Sequence, residues 1–494
     1  MINLKTYKKT ANLFNKYLLR RGTNIYTLSN PVLSIINEHS RHTSLINKKF
    51  PKSSLIIFIK FYLFSLPILV IFFVLKKIFS KKINVNLKKT NTLIFSHLID
   101  ETFLNKNKDY IFGNIFEKKR RDVSFVYLSA LKSHGKKSNL RNNKKFNYKY
   151  ILMENDYKYI EIENLFKIFK NCLVERRKLL NEAKNNNNIK EKHLFLLAAN
   201  FSFSSSSIIN LIRYFTIYEI IKVTKPKNVI TTFEGHPLER LIFFASITNN
   251  RNINRIGYQN TFILKNQNSM FLKLNKNFLP DKIWLSGTIY FKMFKKTFSK
   301  FTKVEVLGTS RKFDLPKKAN IPTLNKNICL IIPEGFYSAT CELMKFCIEY
   351  SYKYSNIKKF ILRIHPELNI HVLFRKYPEL KNYKKFNIEI SKNFDPKVDL
   401  LRCNLCLYRQ TTLVSQAILF GLKTFYLIDK KNINVDSIFS IKKWKESVYS
   451  NQDLMKKVQK FNVSKSRFKD LHKAQKLCKK FYTNIDYKLI KTLK

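Results

Sequence analysis

The run Val229-Ile230-Thr231-Thr232 passes straight into Phe233-Glu234-Gly235-His236 and then into an amphipathic stretch through Arg240 to Asn249. A short apolar run bounded by turn residues and followed by a helical pattern is a buried strand feeding a loop and a helix. That unit belongs to α/β folds, where polar residues at the carboxyl end of a strand face the ligand. The same order recurs around Arg409, where Leu400 to Leu407 reads as a strand and Leu413 to Phe420 as a helix.

Between and around these units the chain alternates. Asn91 to Ile99, Val123 to Leu128 and Tyr148 to Met153 read as short strands, and Tyr157 to Ala183 as a long helix ended by the Asn185 to Asn188 run. Ser204 to Ser207 reads as a loop before a helix over Ile208 to Val223, and Ile253 to Gln259 as the strand after the Glu234 unit. Ile283 to Gly287, Val304 to Thr309, Cys329 to Ile332, Phe360 to Ile364, Ile388 to Ser391 and Thr424 to Ile428 complete the strands. At 494 residues the chain is long for one domain. Pro280 to Gly287 reads as the crossing into a second domain.

Here the residues resemble a family. Glu234-Gly235, Glu239, the helix after them and Gly257-Tyr258-Gln259 are similar to the bacterial surface-carbohydrate (O-antigen, capsule, lipopolysaccharide) biosynthesis proteins. These are glycosyltransferases distantly similar to capsule and teichoic-acid transferases. The resemblance covers roughly Asn200 to Asp429. It implies a GT-B arrangement, two Rossmann-like domains facing a cleft, with the acceptor on the amino-terminal domain and a nucleotide-sugar donor on the other. It also leads one to expect His after Gln259, where Asn260 stands.

The chemistry can be assigned on that frame. Glu234 is the first candidate for general base and His236 the second, since proton abstraction from an acceptor hydroxyl needs such a group in reach. Glu239, Arg240 and Gln259 fall on the acceptor side, where they orient the loop or touch the acceptor. In the second half, Tyr408-Arg409-Gln410-Thr411-Thr412 leads into a helix whose amides and dipole favour a phosphate, with Arg409 as a forked donor. The alternative is helix capping by Thr411 or Thr412 with Arg409 in an ion pair. Arg363 and His365, ending one strand, and Glu334 and Gly335, ending another, converge on the same expectation of a diphosphate site. Arg363-Ile364-His365-Pro366 also matches what the resemblance implies for the donor half. No Asp-x-Asp motif stands in a suitable loop, which points to leaving-group charge met by Arg409, amides and His365 rather than by a required metal. No cofactor is expected beyond the nucleotide-sugar substrate.

Lys and Arg number 93 against 33 Asp and Glu, a net charge of +60. Such charge suits nucleic acid or an anionic membrane, but it is spread along the chain with no nucleic-acid-binding signature, so nucleic acid is not expected as a partner. The membrane has a companion feature. Leu55 to Leu75 is almost unbroken apolar sequence, interrupted by Lys60, Ser65 and Pro67 and flanked by Lys48, Lys49, Lys52, Lys76, Lys77, Lys81 and Lys82. Three readings are open: a single span, a hairpin bent at Pro67 that dips into one leaflet, and a buried core helix. No small-residue cleavage pattern follows, which argues against a signal peptide.

The seven cysteines have no repeated spacing and suggest reduced thiols. Cys403 and Cys406 match a redox spacing but lie in an apolar run, where cysteine is a small core residue. His39 and His42, at helical spacing without cysteine company, read as a solvated face.

The expected organisation is a basic segment over 1–54, a membrane-associated segment over 55–75, an acceptor domain over 76–279, a donor domain over 280–456 and a basic helical tail over 457–494. The expected place is the cytoplasmic face of the bacterial inner membrane, with a lipid-linked or polysaccharide acceptor.

Overall fold

The computed structural model describes residues 4–21, 23–38, 71, 89–98, 108–119, 121–129, 149–153, 160–266, 269–272, 274–310, 326–366, 368–393, 395–428, 433–463 and 467–493. The apolar run over 55–75, Ile71 aside, and the His39/His42 pair lie outside them. Two wholly parallel sheets organise the chain. The first holds β1 (Thr92–Leu98), β2 (Val123–Ser129), β3 (Lys149–Met153), β4 (Asn228–Thr232), β5 (Asn254–Gln259), β6 (Lys282–Leu285) and β7 (Lys303–Val306), in the order 3-2-1-4-5-6-7. The second holds β8 (Ile328–Ile332), β9 (Lys359–Leu362), β10 (Ile388–Ile390), β11 (Leu405–Tyr408), β12 (Lys423–Leu427) and β13 (Lys445–Val448), in the order 10-9-8-11-12-13. Both are the doubly wound Rossmann order. It reverses direction between β1 and β4 in one sheet and between β8 and β11 in the other.

Parallel strands carry helices on both faces and so read as continuous apolar runs. Every residue of β4, β11 and β12 is buried accordingly. Helices Ile162–Lys184, Ile189–Phe201, Ser205–Thr224 and Pro237–Asn249 contribute to one core cluster of the first domain. Among the described residues no single helix is long and apolar enough to cross a membrane.

The sequence reading needs three corrections. The domain boundary is not at residue 280, because β6 pairs with β5 and β7 with β6 in the first sheet; the domains divide between Ser310 and Lys326. Leu400 to Leu407 is not one strand: the helix Pro396–Arg402 takes its first residues, with Asp395 capping that helix through the Lys397 amide at 2.9 Å. The amino-terminal residues are not a separate basic arm either. Helices Leu4–Arg21, Ile25–Ser29 and Pro31–Glu38 bury Phe14, Tyr17, Leu18, Leu28, Val32 and Leu33 in the same core as Leu93 and Phe95 of β1.

The carboxyl-terminal tail returns to the first domain. Beyond the helix Arg467–Lys479, the Thr483 amide donates to Ser286 O at 3.1 Å and the Thr309 amide donates to Thr483 O at 2.9 Å. Two glycines admit it. A Cβ at Gly287 would lie 2.3 Å from Lys480 O, and one at Gly308, which has φ +87°, 2.3 Å from Asn484 O. Phe481 stacks on Phe262 at 3.9 Å between ring centres.

Candidate functional site

Both switch points open at the carboxyl ends of their strands. In the first domain β4 ends at Thr232, and Phe233 to His236 form the turn into the helix Pro237–Asn249. Gly235 has φ +88°, and a Cβ there would lie 2.5 Å from the main chain of Ser269, so the turn requires glycine on two grounds.

Glu239 holds this turn from beneath. Its buried carboxylate accepts the amides of Glu234 at 2.9 Å, Gly235 at 2.8 Å and His236 at 3.0 Å, and the Thr232 hydroxyl at 2.6 Å. A carboxylate at a helix start fills the place an external anion would take. Glu239 is therefore the turn's internal anchor. Arg240 is buried as well; its Nη2 donates to Ser269 O at 2.6 Å, while the Ser269 hydroxyl donates to Glu234 O at 3.1 Å. Burial lowers the Arg240 pKa to about 10 against the opposing pull of Glu239. Glu239 and Arg240 both bond to the main chain of the loops at this turn. Ser269 joins the site without any motif in the sequence to announce it.

Above these anchors Glu234 and His236 pair, with Nε2 to Oε2 at 3.3 Å and both side chains partly open to solvent. Glu239 also closes the helix start by accepting the amide of His236, the N-cap residue. Nε2 faces the Glu234 carboxylate across that 3.3 Å contact. The imidazole thus orients the carboxylate, which keeps acceptor capacity beyond that one bond. Gln259, at the end of β5, is buried and bonds through its amide to Thr261 O, so it shapes the next loop. At Asn260, the buried Oδ1 has no hydrogen-bond partner.

The second switch point lies between the loop after β8, with Glu334 and Gly335, and the turn after β11, Arg409 to Thr412. Here the arginine expectations are corrected. Arg409 is 3% exposed; Nη1 pairs with Glu342 and Nε lies 3.9 Å from Glu334 Oε1, which is equally buried. A guanidinium enclosed by two carboxylates ties β8 to β11 and presents no open fork to a phosphate. Arg363 is likewise committed: its Nη1 donates to the fully buried Asp399 at 2.8 Å and to Asn393 O at 2.9 Å. Asp399 in turn receives the Ser391 hydroxyl at 2.6 Å and the Asn393 amide at 2.7 Å.

What remains toward solvent at this corner is His365, Gly335, Gln410 and Thr411, all half-buried, and Thr412, which is exposed. Thr411 Oγ1 accepts the Leu413 amide at 3.4 Å, and Thr412 occupies the helix cap position without a side-chain cap bond. Loops beyond the carboxyl ends of β5 and β12 touch beside this corner. The Ser437 hydroxyl donates to Thr411 O at 2.6 Å, and the Lys265 amide of the first domain donates to Asp436 O at 3.1 Å.

All seven cysteines are buried and free, and burial pushes the Cys172 and Cys403 thiols up to about 12. Among the described residues no group of histidine, cysteine and carboxylate side chains could hold a metal ion.

No family model matches the chain, and no curated protein matches it. Solved structures do. A glycosyltransferase from Rickettsia africae ESF-5 matches at 12% identity and a TM-score of 0.44, over 80% of this chain and 94% of that one. The glycotransferase of kitacinnamycin matches at 10% identity and 0.44, over 82% and 99%. MnaA of S. aureus, solved with UDP, matches at 10% identity and 0.43, over 80% and 93%. At such scores the strand order within each sheet, and not these likenesses, defines the fold.

Proposed function

We propose that this protein is a glycosyltransferase of GT-B arrangement that moves a sugar from a nucleotide-activated donor to a surface-polysaccharide or lipid-linked acceptor. One observation carries the reading: each of the two sheets has Rossmann order, and the first presents a paired Glu234 and His236 at its switch point. Glu234 takes the proton of the attacking acceptor hydroxyl, and His236 holds its carboxylate in place. Glu239, Arg240 and Ser269 fix the turn so that Glu234 meets the acceptor without reorganising.

The donor diphosphate lies at the second switch point, against the start of the helix Leu413–Leu419, with Gln410, Thr411, Thr412, Gly335 and His365 around it. Arg409 and Arg363 act there as supports of the corner. The departing diphosphate is met by amides, hydroxyls and His365, with no metal required. The enzyme works at the cytoplasmic face of a bacterial inner membrane.

The test is a thermal-shift screen of nucleoside diphosphate sugars on the full chain, followed by product analysis with the donor that binds. Release of the nucleoside diphosphate together with a glycosylated product supports the reading. Transfer of a phosphate-linked unit would make the protein a polyol-phosphate transferase of the same architecture, and binding without turnover would make it an assembly protein.

A further inference from the structure

Beside the edge strand β10 the second domain carries a groove of about 670 Å³ that belongs to neither switch point. It opens between the helix Ile370–Lys376 and the 3-10 helix Pro378–Phe386, which lead the chain from His365 to β10. Phe374 and Tyr383 line its half-buried part, their rings stacked at 5.6 Å and 13°. His371, Arg375, Lys381 and Lys384 line its exposed part.

Both walls are tied to the helix Tyr337–Lys353. Asn369 caps the first wall by accepting the His371 amide at 2.8 Å, and its own amide donates to Tyr337 Oη at 3.1 Å. Glu379 of the second wall pairs with Lys345 at 2.8 Å. A ligand therefore meets a groove that is already shaped, which lowers the ordering cost of binding.

The charge there is one-sided. Among the described residues no carboxylate lines the groove, and none of its four bases is in an ion pair. The neighbouring carboxylates are taken, Glu379 by Lys345 and Glu389 by Arg402 and Lys359, each at 2.7 Å. Excess cations are general in a chain of net charge +60, so charge alone would mark nothing. Here four bases surround one hollow with an aromatic wall, and their mutual repulsion is relieved by an anion.

Size and ring geometry choose the anion. The volume falls within the ~300–1,000 Å³ of small-molecule sites. Single-stranded nucleic acid takes a longer track with successive bases on separate aromatic faces, whereas Phe374 and Tyr383 lie against each other and leave no gap for a base between them. A sugar ring needs one apolar face, and its carboxylate or phosphate suits the planar fork of Arg375. The first wall starts in the turn that carries His365, whose carbonyl accepts the Leu368 amide at 2.9 Å, so the groove begins beside the donor corner.

We propose, on the reading of the acceptor as a polysaccharide, that this groove binds a short acidic glycan, a sugar chain bearing carboxylate or phosphate groups. The four bases meet its charges and one sugar face lies against the ring pair.

The test is fluorescence anisotropy on the full chain with labelled galacturonate oligomers and with phosphorylated mannose oligomers, in about 0.15 M salt, where charges beyond about 8 Å are screened. At least one probe should bind, and the methyl ester of the galacturonate should not. Arg375→Gln, Lys381→Gln and Lys384→Gln combined, all at exposed positions, should weaken binding roughly tenfold or more at unchanged Tm. The same charge loss on the helix Leu4–Arg21, by Lys5→Gln, Lys8→Gln and Lys16→Gln, should change it less than about twofold. Arg375→Gln alone should weaken it several-fold. Binding of neither probe, equal loss in the two triple variants or unchanged affinity in Arg375→Gln overturns the proposal. Tighter binding of a single-stranded oligonucleotide of equal charge overturns it too, by making the groove a nucleic-acid site. No donor is present in this assay, so the two readings fail separately. Probe binding by a chain that turns over no nucleoside diphosphate sugar keeps the groove and removes the transferase, and turnover without probe binding does the reverse.

Discussion

Glu239 closes the turn that carries Glu234, its carboxylate taking the Glu234 amide at 2.9 Å from one helical turn further along the chain. The same group takes two more amides and the Thr232 hydroxyl, so the loop is anchored by one buried charge. Hydrogen bonds to a charged group are worth about 1.5–3 kcal/mol each, and removing their acceptor strands the donors. Glu239→Ala should cost roughly 3 kcal/mol of stability in urea titration and reduce turnover, with donor affinity held. Unchanged stability would mean that water replaces the carboxylate at no cost.

Arg409 should behave as a structural residue. Removing one member of a buried ion pair costs about 3–5 kcal/mol, because the partner's charge stays behind. Arg409→Ala should lower the denaturation midpoint of the second domain by an amount of that order. A variant with full stability and weakened donor binding would return Arg409 to the phosphate site.

These two residues mark where the sequence stops being readable. Glu234, Gly235 and His236 are legible because strand, turn and helix start are local patterns, and the turn needs glycine. The partners of Arg409 and Arg363 are Glu342 and Asp399, 67 and 36 residues away, and no local pattern pairs them. An arginine beside a helix start looks the same in sequence whether it meets a phosphate or a buried carboxylate. The domain boundary failed for a related reason. Ile283 and Val304 sit in short strands whose local pattern does not say which sheet they join, and that is settled by pairing with β5 and with each other. Ser269, held by Arg240 against Gly235, lies in a stretch with no periodicity at all.

The tail seal should be sensitive to single methyl groups. Gly308→Ala adds a Cβ 2.3 Å from Asn484 O at a left-handed φ, and both effects oppose it. The variant should lose more than about 1 kcal/mol and gain protease cleavage within residues 480–493. Wild-type resistance would show that the tail contact yields without cost.

Acid should weaken the outer edge of the second sheet. Arg402 and then Lys359 hold the Glu389 carboxyl down at about 2, against 4.5 for the ordinary group. A depressed carboxyl contributes stability that is complete above its unfolded pKa and is lost as pH falls toward the folded one. Stability should therefore drop between about pH 4.5 and pH 2, and Glu389→Gln should flatten that part of the profile in urea midpoints. An unchanged slope would assign the acid sensitivity elsewhere.

The central claim is that Glu234 removes the acceptor proton during sugar transfer. Gln at this position keeps the size and the bond to His236 but cannot take a proton. The decisive measurement is the rate of nucleoside diphosphate release by wild type and Glu234→Gln, at saturating donor and acceptor, beside the donor Kd of each. The account predicts a kcat lower by about 10²–10⁴ with the donor Kd unchanged. Near-normal kcat in Glu234→Gln would contradict it.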